Sequence, residues 1–389
     1  MYRIGQEEID ALARTLMSRD FFKINGSGQE VYRFEEEWKK EVGKSYALLM
    51  TSGFAALVTG LVGMGIGPGD EVIVPAYTYI ATALAVLQTG AIPVIADTDE
   101  TLTLSAEDCA RKITARTKAV IPVHIQGFPS DLDGLGKVCA PRGIRILEDA
   151  CQAAGGSYRG IPLGSVGDAG AYSFNYFKML TAGEGGMLTT DDRTIYERAL
   201  IYHDASAVAF FGSQLDGISE PLFGGTEFRV SDLTGAILRE QLKRMPGIRS
   251  DLKRLQNRFR ERLGEKFTIA PSHDPEGDCG TTLALRFETE DETRRLAAHT
   301  ASRGIGLTVP IDTGKHVYTN WTQVMEKRGA LHPLMDPYRM EANRGAQSDY
   351  TPDMCKTTLD LLSRTAYLAI NPDWTERDEE AVADALLSF

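Results

Sequence analysis

Long apolar runs are missing from this sequence: none approaches the roughly 18 residues needed to span a bilayer. The first segment, MYRIGQEEIDALART, also lacks the apolar core of a secretory signal. Positive charge is short as well. Lys and Arg number 42 against 54 Asp and Glu, a net charge of −12. A chain without a basic face is expected to bind neither nucleic acid nor an anionic membrane. Cysteine is scarce: the five present, Cys109, Cys139, Cys151, Cys279 and Cys355, are odd in number and show no CxxC spacing. That excludes a disulfide framework or a zinc site and fits the reduced thiols of a cytoplasmic protein. No metal centre is expected. Cys151 has no local histidine to activate it and reads as a packing residue. Repeats and low-complexity tracts are absent. So is a GxGxxG turn after the first strand, which disfavours a dinucleotide fold.

What remains is a chain of 389 residues with globular apolar and charged content, 43% and 25%, long enough for about two domains. Helical periodicity covers residues 6–18 and returns in FEEEWKKEVG after a turn at 26–28. YALLMTS then reads as a buried strand running directly into SGFAALVTGLVGMGI, where Phe54, Leu57, Val58, Leu61 and Val62 share one helical stripe. The turn Ser52, Gly53, Phe54 aims backbone N–H groups and the positive end of the helix dipole above the sheet, a ready phosphate site. Strand and helix keep alternating: GDEVIVP, then PAYTYIATALAVLQTG with Tyr77 and Tyr79 at the mouth of the same crevice, IPVIADTD, a helix from Ser105, KAVIPVHIQG, a helix from Leu132, and IRILEDA. This alternation predicts an α/β fold with a mainly parallel, doubly wound sheet. His124 ends one strand, where it is either a satisfied polar residue or a substrate contact. Residues 202–223 read as an irregular loop bordering the site. FRVSDLTGAILREQLKRM starts a long helix, and Met245, Pro246 and Gly247 mark the expected linker between a large domain, 1–245, and a smaller α+β domain, 246–389. In the latter TTLALRFE, GIGLTVP and TAYLAIN read as strands, and residues 312–350, without periodicity, as functional or interface-forming.

The chain is organised around residues 168–192, DAGAYSFNYFKMLTAGEGGMLTTDD. AGAYSF and GGMLTT read as strands, and the loop between them carries one cation, Lys178. A lysine there is either a structural cation whose amine reaches water or an amine forming a Schiff base with a carbonyl cofactor, most often pyridoxal 5'-phosphate. Its surroundings favour the second. Asp149 stands at the end of a parallel strand, where side chains face the ligand crevice, and can hold a pyridine nitrogen protonated. Ser173, five residues before the lysine, can offer its hydroxyl to a phosphate.

EDACQAAGGSYRG followed by GDAGAYSFNYFKMLTAGEGGMLTT resembles the DegT/DnrJ/StrS-type family of sugar aminotransferases. The resemblance runs from about residue 30 to the C-terminus and weakens after about residue 270. It implies fold type I of the pyridoxal-phosphate-dependent transferases, with Lys178 as the Schiff-base lysine and Asp149 as partner of the ring nitrogen. It further implies Gln152 on the ring side, Ser173 on the phosphate and Tyr79 stacked on the ring. Phe54 stands where the family commonly has Thr, so a hydroxyl contact is lost. The implied reaction moves an amino group from glutamate or glutamine, by way of pyridoxamine 5'-phosphate, to a keto-sugar, often nucleotide-linked, within a homodimer. A keto-cyclitol or an eight-carbon sugar acid is the alternative acceptor, and a lyase the remoter one. Glu184, Glu227 and His316 are further candidate substrate contacts. Glu227 replaces an Asn that, by the resemblance, reaches a phosphate across the dimer interface. It is expected to turn away and pair with Arg229; being protonated, or facing substrate, are the other two outcomes.

Overall fold

The computed structural model describes residues 3–23, 29–208 and 217–389. The turn expected at 26–28 and the middle of the 202–223 loop lie outside them. The centre is a seven-stranded sheet of β1 (Tyr46–Met50), β2 (Glu71–Pro75), β3 (Ile92–Ala96), β4 (Thr117–Val120), β5 (Arg145–Asp149), β8 (Ala169–Ser173) and β9 (Gly186–Thr190), in the order β1-β9-β8-β5-β4-β2-β3. A two-stranded hairpin, β6 (Ser157–Tyr158) and β7 (Ile161–Pro162), precedes β8. From β8 to β3 every neighbour pair is parallel; β9 runs against both β8 and β1. The expected α/β, mainly parallel sheet is therefore what the chain builds. Its strands are buried on both faces, as continuous apolar runs such as VIV and LLM require.

Helices cover both faces. On one, α3 (Gly53–Gly63), α4 (Ala81–Gln88) and α7 (Arg193–His203) pack with Leu57, Leu61, Val86 and Ile201 fully or almost fully buried. On the other, α2 (Glu30–Val42) presents Val31, Phe34, Trp38 and Val42, an i, i+3, i+7, i+11 stripe. Trp38 meets Tyr172 edge-on at 5.0 Å and Phe174 at 5.2 Å, while Phe34 meets Phe174 at 5.4 Å. Such tilted contacts are the favoured geometry for aromatic quadrupoles. They fix the end of β8, from which the Lys178 loop leaves. α5 (Ala106–Lys112) and α6 (Leu132–Cys139) follow their Ser105 and Asp131 caps, whose side chains accept from Asp108 N–H and Gly134 N–H.

Two expectations need correction. Met245, Pro246 and Gly247 are no linker: one helix runs unbroken over Asp232–Leu263, with Pro246 inside it. It packs against α1 (Gln6–Ser18) and α2 before reaching the second sheet. That sheet is three-stranded and antiparallel, β10 (Thr268–Ile269), β11 (Thr282–Arg286) and β12 (Thr365–Ala369), in sequence order. GIGLTVP is not one of its strands; only Thr308 forms an isolated bridge, to Tyr367. The residues either side, Gly304 at φ +79 and Pro310 opening a 3-10 turn, stop the ladder from extending. No described helix is long and apolar enough to cross a membrane.

Candidate active site

Ser52 caps α3 in an extended conformation, its Oγ accepting from Ala55 N–H at 3.1 Å. The remaining first-turn N–H groups are left to whatever lies above the sheet. Glycine is required at two points here. A Cβ on Gly53 would come within 2.6 Å of Cys151 Sγ and 2.9 Å of Ser173 Cβ, and one on Gly186 would collide with the Ser52 carbonyl. The start of β9 therefore meets the α3 N-terminus backbone against backbone, with the Ser173 and Cys151 side chains close against Gly53, and together they form a cradle.

Asp149 closes β5 and is 5% exposed. Its Oδ2 accepts from Thr82 Oγ1 at 2.8 Å and its Oδ1 from Cys151 N–H at 3.1 Å. Burial, and then the Asp149 charge, push the Cys151 thiol well above its ordinary value, which disfavours the thiolate form. The Lys178 loop is built from its own hydrogen bonds: Tyr176 N–H to Gly183 O, Lys178 N–H to Asn175 O, Ala182 N–H to Phe174 O. Among the described residues the Lys178 ammonium makes no ion pair or hydrogen bond.

Two compartments meet at this lysine. The smaller, about 150 Å³, is lined by Ser52, Gly53, Phe54, Tyr79, Asp149, Gln152, Ser173, Lys178 and Glu184 among others. The larger, about 470 Å³, adds Gln126, Phe177, Thr281 and His316. The structure thus gathers Ser52, Gly53, Phe54, Tyr79, Asp149, Gln152, Ser173 and Lys178 around one crevice, with Glu184 at its rim. His316 sits 5.4 Å from the Tyr79 ring, centroid to centroid. It belongs to the 312–350 segment, which threads onto the Tyr79 turn through Thr78 N–H to His316 O and Ile80 N–H to Lys315 O, each 3.0 Å. Burial lowers the His316 pKa, and the Lys178 charge adds to the shift.

His124 is not in the crevice. It is fully buried, its Nε2 bonded to Glu148 at 3.0 Å while its Nδ1 accepts from Ser130 N–H at 3.1 Å. The alternative of a substrate contact is not met: Val123, bridged to Asp149, is the residue that lines the crevice, and the next side chain, His124, turns the other way onto Glu148. Glu148 also accepts from Gly164, Val166 and Gly167 N–H, and although burial opposes it, these bonds and the imidazole leave its pKa lowered. His124→Ala is expected to cost about 3–5 kcal/mol of stability, as for a broken buried pair. Thermal unfolding would show the loss, with kcat per folded molecule retained; lost turnover at unchanged melting temperature would restore His124 as a substrate contact. Because the folded Glu148 pKa is depressed, the stability it adds is present above the unfolded value near pH ~4.3 and is lost as pH falls below it.

Glu227 is 52% exposed at its side chain, with Oε2 2.7 Å from Arg229 Nη2 and Oε1 accepting from Arg229 N–H at 3.1 Å. Its neighbour Phe228 accepts from Thr51 N–H at 3.0 Å, which seats the segment beside the cradle. Glu227→Gln is accordingly expected to leave cofactor affinity nearly unchanged by fluorescence titration. Tightening by about tenfold, about 1.4 kcal/mol, would mean that the carboxylate faces a phosphate.

Gln126 was not anticipated. It lines the larger compartment and is a non-glycine residue with φ 54 and ψ 19, a conformation that leaves no reliable trace in sequence.

Comparison with known proteins decides the family. The sequence pattern of the DegT/DnrJ/EryC1/StrS aminotransferase family matches residues 3–336. The chain belongs to that family. It is 39% identical over 261 residues to the spore coat polysaccharide biosynthesis protein SpsC of Bacillus subtilis (strain 168), a match spanning 66% of each chain. It is 30% identical over 317 residues to GDP-perosamine synthase of Escherichia coli O157:H7, covering 80% of this chain and 83% of that one. Among solved structures, the aminotransferase from Psychrobacter cryohalolentis superposes with a TM-score of 0.82 at 25% identity, covering 99% and 97% of the two chains. DesV of S. venezuelae gives 0.78 at 28%, covering 98% and 94%. As a DegT/DnrJ/EryC1/StrS aminotransferase, the protein depends on pyridoxal phosphate. The crevice fits that group: a glycine cradle under open helix N–H groups suits a phosphate, the Asp149 carboxylate a ring nitrogen, and the unpartnered Lys178 amine an aldehyde carbon.

Proposed function

We propose that the enzyme transfers an amino group from glutamate or glutamine to a keto-sugar, nucleotide-linked in its natural form, in amino-sugar biosynthesis. The observation that carries this reading is the free Lys178 amine at the junction of two compartments, the smaller of them lined by Asp149. In this reading Ser52, Ser173 and the N–H groups of the α3 turn hold the phosphate, and Tyr79 covers the ring. Gln152 contacts the ring side. The cofactor, when bound, supplies an electron sink for charge developing at the carbon that bears the amino group. Asp149 keeps a proton on the ring nitrogen. Lys178 would hold the aldehyde carbon through Nζ, and with the donor amine in its place that Nζ would take the proton from the donor α-carbon and return it to the carbon that had carried the aldehyde. The same groups act in reverse on the acceptor, so ping-pong kinetics follow.

The larger compartment supports a sugar acceptor. Its lining is amide, hydroxyl and aromatic, with Gln126, Gln152, Asn175, Thr281, Tyr79 and Phe177, and Lys178 is its one cation among the described residues. Such a surface suits hydroxyl groups and sugar faces; an anionic tail would extend beyond it. The names of SpsC and GDP-perosamine synthase point to the same substrate class. Exposed Tyr176 and Phe177, 59% and 76%, beside the crevice support a homodimer that covers them. Five free cysteines support a cytoplasmic setting. The division into a cofactor-binding part and a smaller C-terminal part belongs to the same reading, with the change-over spread along the Asp232–Leu263 helix.

The test is the absorption spectrum with glutamate or glutamine, then mass spectrometry of a panel of keto-sugars, keto-cyclitols and eight-carbon sugar acids. Conversion of the cofactor to its amine form and an aminated keto-sugar are expected. Release of pyruvate or ammonia without an aminated product would refute the reading.

A further inference from the structure

Gln126 lies in a turn, Ile125–Gly127, wedged between the Asp149 strand and the second sheet. Its backbone N–H donates to Gln152 Oε1 at 3.0 Å, its carbonyl accepts from Thr281 Oγ1 at 2.8 Å, and its side-chain oxygen pairs with Thr282 Oγ1 at 3.2 Å. The next residue accepts from Cys279 N–H at 3.0 Å, and a Cβ on Gly127 would come within 2.6 Å of Cys279. Three hydrogen bonds from Cys279, Thr281 and Thr282 therefore hold Gln126 in a left-handed conformation it would otherwise avoid. Strain of this kind persists only where surroundings over-determine it, and it gathers at functional sites.

The consequence falls on Gln152. A backbone N–H can only donate, so the Gln152 amide must turn its oxygen towards Gln126. Its NH₂ is left for the crevice, where Gln152 lines both compartments and where, among the described residues, that nitrogen has no partner. We infer that Gln126 is a positioning residue that fixes Gln152 as a hydrogen-bond donor to an oxygen of the bound cofactor or acceptor. An unclamped amide could flip and present a lone pair, repelling the same oxygen. The clamp is made by backbone geometry, so it depends on the φ that residue 126 can adopt more than on its side chain. Thr281 and Thr282 tie it to the second sheet, so that sheet takes part in setting the polarity of the site.

The inference rests on the cofactor assignment above, which the wild-type absorption band and its loss in Lys178→Ala check separately. Three holoenzymes test the inference itself. Gln126→Gly keeps the N–H and adopts φ > 0 freely, so the ratio of its cofactor absorption bands should match wild type, while acceptor KM reports the lost side chain. Gln126→Val resists φ > 0 and should withdraw the N–H, altering the ratio of the cofactor absorption bands and lowering kcat/KM by about tenfold. Gln152→Glu keeps the acceptor for Gln126 but has no N–H to offer, and should change spectrum and rate in the same way. Wild-type behaviour of Gln126→Val or of Gln152→Glu overturns the inference, as does a change of the cofactor band ratio in Gln126→Gly equal to that in Gln126→Val, which would move the role to the side chain. If Gln126→Val does not fold, Gln126→Ala compared with Gln126→Gly takes its place, since both lack the side chain and only alanine resists φ > 0.

Discussion

Lys178→Ala is expected to abolish borohydride-trappable cofactor and to lower turnover by at least about 10³-fold, the share that a positioned base commonly contributes. The fold should survive intact. Lys178 is half-buried and, among the described residues, pairs with nothing, so its removal orphans no charge. The loop around it is held by backbone bonds and by Phe174 in its aromatic nest, neither of which needs the amine. A melting temperature within a few degrees of wild type is expected, which separates lost chemistry from lost structure. Peptide mapping after reduction gives the decisive observation. Trapping retained at another lysine would remove Lys178 from its role, whatever the rate.

Asp149→Asn should retain the cofactor yet lose most of kcat, about 3–4 kcal/mol of barrier by analogy with other removed charge-stabilising groups. The carboxylate is 5% exposed and accepts two bonds, from the Thr82 hydroxyl and from Cys151 N–H. An amide oxygen can replace one of these, and its NH₂ then faces the other donor. A stability cost of about 1–3 kcal/mol follows from the unsatisfied group. The kinetic loss is larger and has another origin: a neutral amide cannot hold a proton on the ring nitrogen. Single-turnover kinetics, with cofactor content measured on the same sample, distinguish the two. Near-wild-type turnover would show that the ring is not protonated through Asp149.

The site was legible where its chemistry is local. The Lys178 loop, the strands at its ends and the Asp149 strand end each occupy one short stretch, and the sheet forces them together. The α3 turn was legible for the same reason. For His124 the sequence left two readings open, because a strand end alone does not say which face a side chain takes; here Val123 faces the crevice and His124 the buried Glu148. The linker was misread because Pro246 was taken as a stop. An internal proline costs a helix about 3 kcal/mol. Here Leu238, Met245, Ile248, Leu252, Leu255, Phe259 and Leu263 continue one buried stripe through it, and side chains of this kind contribute about 1.5–3 kcal/mol each when fully buried. The stripe outweighs the break, and its spacing was open to view. Gln126 is different, since what distinguishes it is a backbone dihedral imposed by residues more than 150 positions away.

The placement of β1 has a consequence for synthesis. Its sheet neighbour is β9, through pairs such as Tyr46 with Thr190, so the strand leaves the ribosome long before its partner exists. At about 5–20 residues per second the wait lasts roughly 7–30 s. Throughout it Leu48, Leu49 and Met50 form an unpaired apolar edge, the kind that recruits other chains. The α3 turn waits too, because Gly186 is what its Ser52 carbonyl rests on. The phosphate cradle and the lysine hairpin are therefore completed in one late event, and a nascent chain stalled before residue 186 carries neither half in working form.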